Sequence, residues 1–528
     1  MKGVRKKKKV NYANRFAIVL FIALIVNISF YWLPDSILGI PVKKVDLLAD
    51  IRILPEEGGI GQAALLAEDD FRGESLDEVS SRSMLQNNEI SQDPLANDSD
   101  TPVPLQQNSN PHDITLANTT QTSQYTDGTD KPDSLSYPPY DDSFRDDKNN
   151  TDYLFNAKIE DFSYGRKGLS RFFEALNNID NLGRPARIAF VGDSFIEGDI
   201  LVADFRAKMQ EQFGGRGVGF IPITSNVEQY RPTIKQSAEG WESYSIIKNK
   251  DRKYIISGLQ FEPASDNASI KFQTVDVYPG LEEVSTLKVL YSKNENTDIQ
   301  LRSDTHTAYY ELPPTDNVTQ YEIKGHFTSG TLLLKNALGL NAIGIALEDN
   351  HGVIVDNFAL RGNSGIIMSE LDSESCRILQ QIRPYDLIVL QYGLNVANDS
   401  INEYGWYRNR MITVIEHLQY CFPGADILIL GVSDRSHKHR GSYSTMPAVL
   451  SLLKAQRQTA KETEVTFWSI FAAMGGHNSM VKYVDSNWAS KDYTHLSFRG
   501  GREIANALYN AIISEKEMYD GNERLIEK

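Results

Sequence analysis

Residues 187–200 read RIAFVGDSFIEGDI. An apolar run passes directly into Gly192-Asp193-Ser194, and helical periodicity starts within a few residues. A near-continuous apolar run of this length marks a strand buried on both faces. Its end, a strand-to-turn-to-helix corner, is one of the few places where a serine is both rigidly held and exposed. Similar runs follow at 352–360 (GVIVDNFAL), 386–393 (DLIVLQYG), 426–432 (DILILGV) and 465–470 (VTFWSI). Amphipathic segments at 199–213, 403–420, 446–461 and 499–514 separate several of them. Alternating buried strands and helices predict an α/β domain, a parallel sheet covered on both faces, assembled from 151–230 and 350–520.

The gap between the first two runs is too long for a crossover helix. It holds short strand-like stretches such as ASIKFQTVDV (268–277), STLKVLYS (285–292) and GTLLLK (330–335), with turn residues at about every 8–12 positions. This pattern predicts a whole β-sandwich at 231–349, inserted in the α/β unit.

The net charge of −16 is unevenly spread. Residues 1–54 carry ten Lys or Arg against three Asp or Glu, whereas 55–150 carry five against twenty. The one dense lysine run sits at the extreme N-terminus beside an apolar stretch, so nothing resembles a nucleic-acid footprint. The stretch 16–33, FAIVLFIALIVNISFYWL, is uncharged and close to the roughly 20 residues that cross a bilayer core. Seven Lys or Arg within 1–15 precede it. The positive-inside rule then predicts a retained single-pass helix with a cytoplasmic N-terminus and everything after Pro34 outside; a cleaved signal peptide is the competing reading. Residues 34–150, acidic and rich in Ser, Asn, Thr and Pro over most of their length, read as a mostly disordered linker. Cys376 and Cys421 have no metal-ligand spacing and read as buried thiols, a single bridge being the alternative.

An acyl-transfer site needs a nucleophile, a base, a group that orients the base, and donors for the developing oxyanion. In an open parallel sheet these come from just past the carboxyl ends of strands. Four places qualify: Gly192-Asp193-Ser194; RGNSG at 361–365; YGLN at 392–395; and KDYTHLS at 491–497. Each alone is weak. Together they put a serine, a glycine, an asparagine and an Asp-x-x-His, in that order, at the ends of successive strands.

The set resembles the SGNH, or GDSL-type, hydrolases, over roughly 155–515. The C-terminal stretch FWSIFAAMGGHNSM (467–480) and KDYTHLSFRGG (491–501), with a sandwich between the serine and glycine motifs, is similar to the peptidoglycan O-acetylesterase branch, whose insert resembles a carbohydrate-binding module. The resemblance implies a three-layer, flavodoxin-like α/β/α fold. It implies Ser194 as nucleophile, His495 as base and Asp492 as the carboxylate orienting it, with the backbone N–H of Ser194, that of Gly362 (rather than Gly365) and the Asn395 amide as oxyanion donors. Val396 stands where the family often has a second carboxylate after the asparagine. Asp193, Tyr493 and Trp488 are candidate substrate contacts, burial being the alternative for Trp488 and Tyr493. No metal or cofactor is expected; His437 and His439 read as solvated, and FGGRGVGF (213–220) as a flexible turn.

The implied function is a serine esterase anchored in a bacterial cytoplasmic membrane, with its catalytic domain extracytoplasmic, removing O-acetyl groups from cell-wall glycan. Other readings are an O-acetyltransferase, an acetylesterase or lipase for another polysaccharide or lipid ester, and an inactive glycan-binding protein. Nucleic acid is not an expected partner.

Overall fold

The computed structural model describes residues 157–526 except 305 and 440, together with 36–37 and 40–41. The expected membrane segment at 16–33 and almost all of the linker lie outside the described residues. Among the described residues no helix is long and apolar enough to cross a membrane. The chain divides into units 1–62 and 63–528. In the first, Ser36–Ile37 pairs antiparallel with Ile40–Pro41; all that follows concerns the second.

Five apolar runs form one parallel sheet: β1 (Ala186–Gly192), β2 (Val353–Ala359), β3 (Leu387–Gln391), β4 (Asp426–Gly431) and β5 (Thr466–Ser469), in the order β2-β1-β3-β4-β5. A two-residue strand, Glu160–Asp161, pairs antiparallel with β5 at the edge. Every residue of β1, β3, β4 and β5 is buried, which is why these strands read as unbroken apolar runs rather than alternating ones. The chain steps one way from β1 to β2 and the other way from β2 through β3, β4 and β5. Right-handed crossovers therefore place the helix after β1, α1 (Val202–Phe213), on the face opposite α2 (Ser373–Ile382), α3 (Gly405–Cys421) and α4 (Pro447–Glu462). The last helix, α5 (Phe498–Ile526), packs on α1. The order reverses at β1 and β3, and the carboxyl ends of these two strands flank the crevice where such sheets bind ligands.

Two antiparallel sheets lie between α1 and β2. One runs Thr319–Phe327, Val284–Lys293, Asn341–Glu348, Leu259–Pro263, Trp241–Ser245; the other Thr307–Glu311, Asp298–Ser303, Ser329–Lys335, Ala268–Gln273, Lys235–Glu239. Their inward residues, among them Leu287, Val289, Leu301, Leu332 and Leu347, share one buried cluster. Pairing starts at Gly219–Ile221, which joins Asn341–Glu348. The expected flexible turn at 213–220 is instead packed, with Val218 and Phe220 buried. A Cβ on Gly215 would lie 2.5 Å from the Val353 carbonyl oxygen, so only glycine allows this turn to pass the start of β2.

A buried charge cluster ties the sandwich to the parallel sheet. Glu348, on a sandwich strand, accepts bonds from Arg187 of β1 (2.9 and 3.0 Å), Arg383 (3.0 and 2.6 Å) and Lys288 (2.8 Å). Arg383 also donates to Asp356 of β2 at 2.9 and 2.8 Å. Burial opposes charge on both carboxylates, but the guanidinium groups outweigh it and hold both below the usual range.

Candidate active site

The nucleophile corner is fixed by close packing. A Cβ on Gly192 would sit 2.7 Å from the Gln391 carbonyl oxygen, so glycine is what lets β1 and β3 approach here. Asp193 is buried, and its Oδ1 accepts the Phe195 N–H at 2.9 Å. Phe195 and Ile196 anchor the turn in the core, and Ser194 stays partly exposed between them and the strand. Farther along, Asp199 has φ 66° and is fully buried. Arg206, Arg231, Thr233 and Asn357 all donate to its carboxylate, tying the corner to α1, to the 231–233 segment and to β2. Sequence reading missed this anchor, because its members lie far apart along the chain.

The base arrives on a short loop that follows two helices beyond β5, Ile470–Ala473 and Ser479–Asp485. Asp492 Oδ1 accepts the N–H of Thr494 (2.9 Å), the N–H of His495 (3.1 Å) and the Ser490 hydroxyl. Its Oδ2 lies 2.7 Å from His495 Nδ1. Burial acts against charge on Asp492, yet the bond and charge of His495, with the Ser490 bond, hold its carboxyl well below the usual range. An ionised carboxylate only accepts, so Nδ1 carries a hydrogen, and in the uncharged form of the ring Nε2 is then the acceptor. Ser194 Oγ lies 3.2 Å from that Nε2 and donates to it. The structure thus brings Ser194, His495 and Asp492 into one hydrogen-bonded chain, as a nucleophile-activating site requires.

The loop after β2 supplies the facing wall. Leu360 N–H donates to the Gly192 carbonyl at 2.9 Å, and Arg361 donates to Glu197, pinning this loop to the nucleophile corner. Gly362 has φ 71°, a conformation that favours glycine. Among the described residues no acceptor engages the N–H of Ser194 or of Gly362. The Asn395 amide has both hydrogens engaged: Nδ2 donates to Asp193 Oδ2 at 2.8 Å and to the Asn363 carbonyl at 3.0 Å. Reaching an oxyanion requires it to give up or share one of these. Asn363, beyond the sequence expectation, is buried and braces the loop through its Oδ1, which accepts the Gly365 N–H at 2.8 Å. Burial pushes the Asp193 carboxyl up to about 7.

Of the two aromatic candidates, Trp488 packs edge-on against Tyr483, with centroids 5.2 Å apart, and belongs to the core margin. Tyr493, between Asp492 and His495, stacks on Tyr443. His437, expected to be solvated, places Nδ1 2.7 Å from Asp399 Oδ2. Cys376 and Cys421 are both buried free thiols. Among the described residues no group of three or more His, Cys, Asp or Glu is arranged to hold a metal ion.

No protein-family model matches the sequence. No curated protein matches it either. The fold is similar to that of a solved peptidoglycan O-acetylesterase, at 20% sequence identity and a TM-score of 0.56 over 68% of this chain and 99% of that one. More distant likenesses are a family two carbohydrate esterase from Cellvibrio japonicus (12% identity, TM-score 0.24, 54% of this chain and 98% of that one) and a salicylyl-acyltransferase from a tetracycline biosynthetic pathway (11%, 0.27, 56% and 96%). The first likeness shows a common fold; the other two are too remote to support an argument.

Proposed function

We propose that this chain is an SGNH-type serine esterase that removes O-acetyl groups from a cell-wall glycan, with peptidoglycan as the substrate. The observation that carries the proposal is the Ser194–His495–Asp492 chain, with contacts of 3.2 and 2.7 Å, at the switch point of the sheet. Ser194 Oγ attacks the ester carbonyl as His495 Nε2 takes its proton, and Asp492 stabilises the imidazolium. The two unengaged N–H groups, of Ser194 and Gly362, receive the oxyanion, with the Asn395 amide as third donor once it releases Asn363. His495 returns the proton to the departing sugar oxygen as its bond to the acyl carbon breaks, releasing the sugar hydroxyl and leaving an acetyl-serine. Water, activated by the same imidazole, then releases acetate. Peptidoglycan is preferred as substrate because the fold is shared with a peptidoglycan O-acetylesterase across nearly that protein's whole length. The N-terminal apolar segment, read as an anchor, would keep the enzyme beside the wall.

Hydrolysis of p-nitrophenyl acetate by the full chain, compared with Ser194→Ala, tests the esterase. Acetate release from O-acetylated peptidoglycan, with O-acetylated xylan as the comparison, tests the substrate. Acetate from xylan but not from peptidoglycan overturns the substrate assignment.

A further inference from the structure

A hairpin of Ser436–His439 and Ser442–Thr445 rises beyond the carboxyl end of β4, on the sheet edge that holds Ser194. It bridges two loops of the site. His437 pairs with Asp399 beyond β3, Arg435 donates to the Leu394 carbonyl at 3.3 Å, and Ser436 N–H donates to the Tyr493 carbonyl at 3.1 Å. Its base is clamped by two bonds exchanged between Thr445 and Asn478, at 2.7 and 3.0 Å. Near its tip, the Tyr443 ring lies flat on Tyr493, centroids 3.6 Å and planes 9° apart. Tyr493 holds φ 56°, a left-handed conformation that a bulky residue keeps only where its surroundings impose it.

Ring stability alone does not explain this pair. Aromatic side chains favour offset or edge-on contacts over a face-to-face sandwich. Tyr443 nonetheless remains 39% exposed, so a large flat ring that is stacked on Tyr493 still offers surface to solvent. Tyr493 supports it from behind, two residues from His495.

Resting on the esterase reading, we propose that Tyr443, backed by Tyr493, is a stacking subsite for a pyranose ring of the ester-bearing glycan. The C–H face of a pyranose is apolar and weakly electropositive, and it complements the negative face of an aromatic ring. A ring fixed in advance binds without the entropy cost of ordering it. The hairpin then sets which length of glycan is presented to Ser194, a selection that a small acetate ester does not feel.

The test uses full-length protein and O-acetylated peptidoglycan fragments released by a muramidase. In a Ser194→Ala background, calorimetric titration with these fragments should show Tyr443→Ala weakening Kd about tenfold, with Tyr443→Phe and Tyr443→Trp close to the parent. In active enzyme, Tyr443→Ala should lower the ratio of kcat/KM on the fragments to that on p-nitrophenyl acetate by about tenfold, mostly through KM. An unchanged Kd and ratio overturns the subsite. So does a parallel loss on both substrates with parental Kd, which would make the hairpin a brace for the catalytic loop. If the parent hydrolyses neither substrate, the esterase reading fails, and the titration still decides the subsite.

Discussion

Ser194 Oγ and His495 Nε2 stand 3.2 Å apart although 301 residues separate them in the chain. The contact closes only because the turn after β1 and the 490–495 loop lie at the same edge of the sheet. The buried Asp199 anchor holds one partner, and the bonds accepted by Asp492 hold the other.

Asp492→Asn should fold normally and lose turnover by about 10⁴-fold, because an amide cannot enforce the Nδ1–H tautomer. Steady-state kinetics with a thermal melt checks this. Asp492→Ala should additionally lower the melting temperature, since it strips the loop of the acceptor shared by Ser490, Thr494 and His495.

Asn395 and Asp193 act as a pair, joined at 2.8 Å. Asn395→Ala is expected to reduce kcat by about 10²–10³-fold. A double-mutant cycle with Asp193→Asn should be non-additive, with a coupling of about 0.5–3 kcal/mol. Additive losses would mean that Asn395 acts without its carboxylate partner.

Burial pushes both Asp193 and Asp426 up to about 7. Unfolded, such groups titrate near 4. Between about pH 4 and 7 the folded chain therefore binds more protons at these two sites than the unfolded chain, so their contribution to stability falls as pH rises through that window. The carboxylates held low, Glu348, Asp356, Asp199 and Asp492, lose their contribution only below it. Melting temperatures at pH 5.5 and 7.5 should show less of a fall with pH in Asp193→Asn and Asp426→Asn than in the parent.

Glu348→Gln leaves Arg187, Arg383 and Lys288 facing one another without their shared carboxylate. Breaking such a buried set is expected to cost about 3–5 kcal/mol, read as a lower denaturation midpoint in urea. Glu283→Gln, at the exposed pair with Arg216, should leave the midpoint nearly unchanged.

The parallel sheet was legible because all five strands are buried on both faces, and period and composition then agree. The sandwich was legible from its spacing of turns. Helix α2 escaped notice: its signal was a capping Asp372, which accepts the Ser375 N–H at 2.9 Å, before a short polar stretch. Ser194, Gly362, Asn395, Asp492 and His495 stood in motifs at predicted strand ends. The engagement of both Asn395 hydrogens was invisible, since it depends on Asp193 and Asn363 meeting across three loops. Tyr443 and the Asp199 anchor were invisible for the same reason: each gains its meaning from a partner that no local pattern encodes.

The decisive measurement is intact-protein and peptide mass spectrometry after exposure of the full chain to a serine-directed fluorophosphonate. One adduct on Ser194, formed rapidly in the parent and greatly slowed in His495→Ala, is the expected result. No adduct, an adduct on another residue, or labelling of Ser194 at the same rate without His495 would contradict a hydroxyl activated by that imidazole.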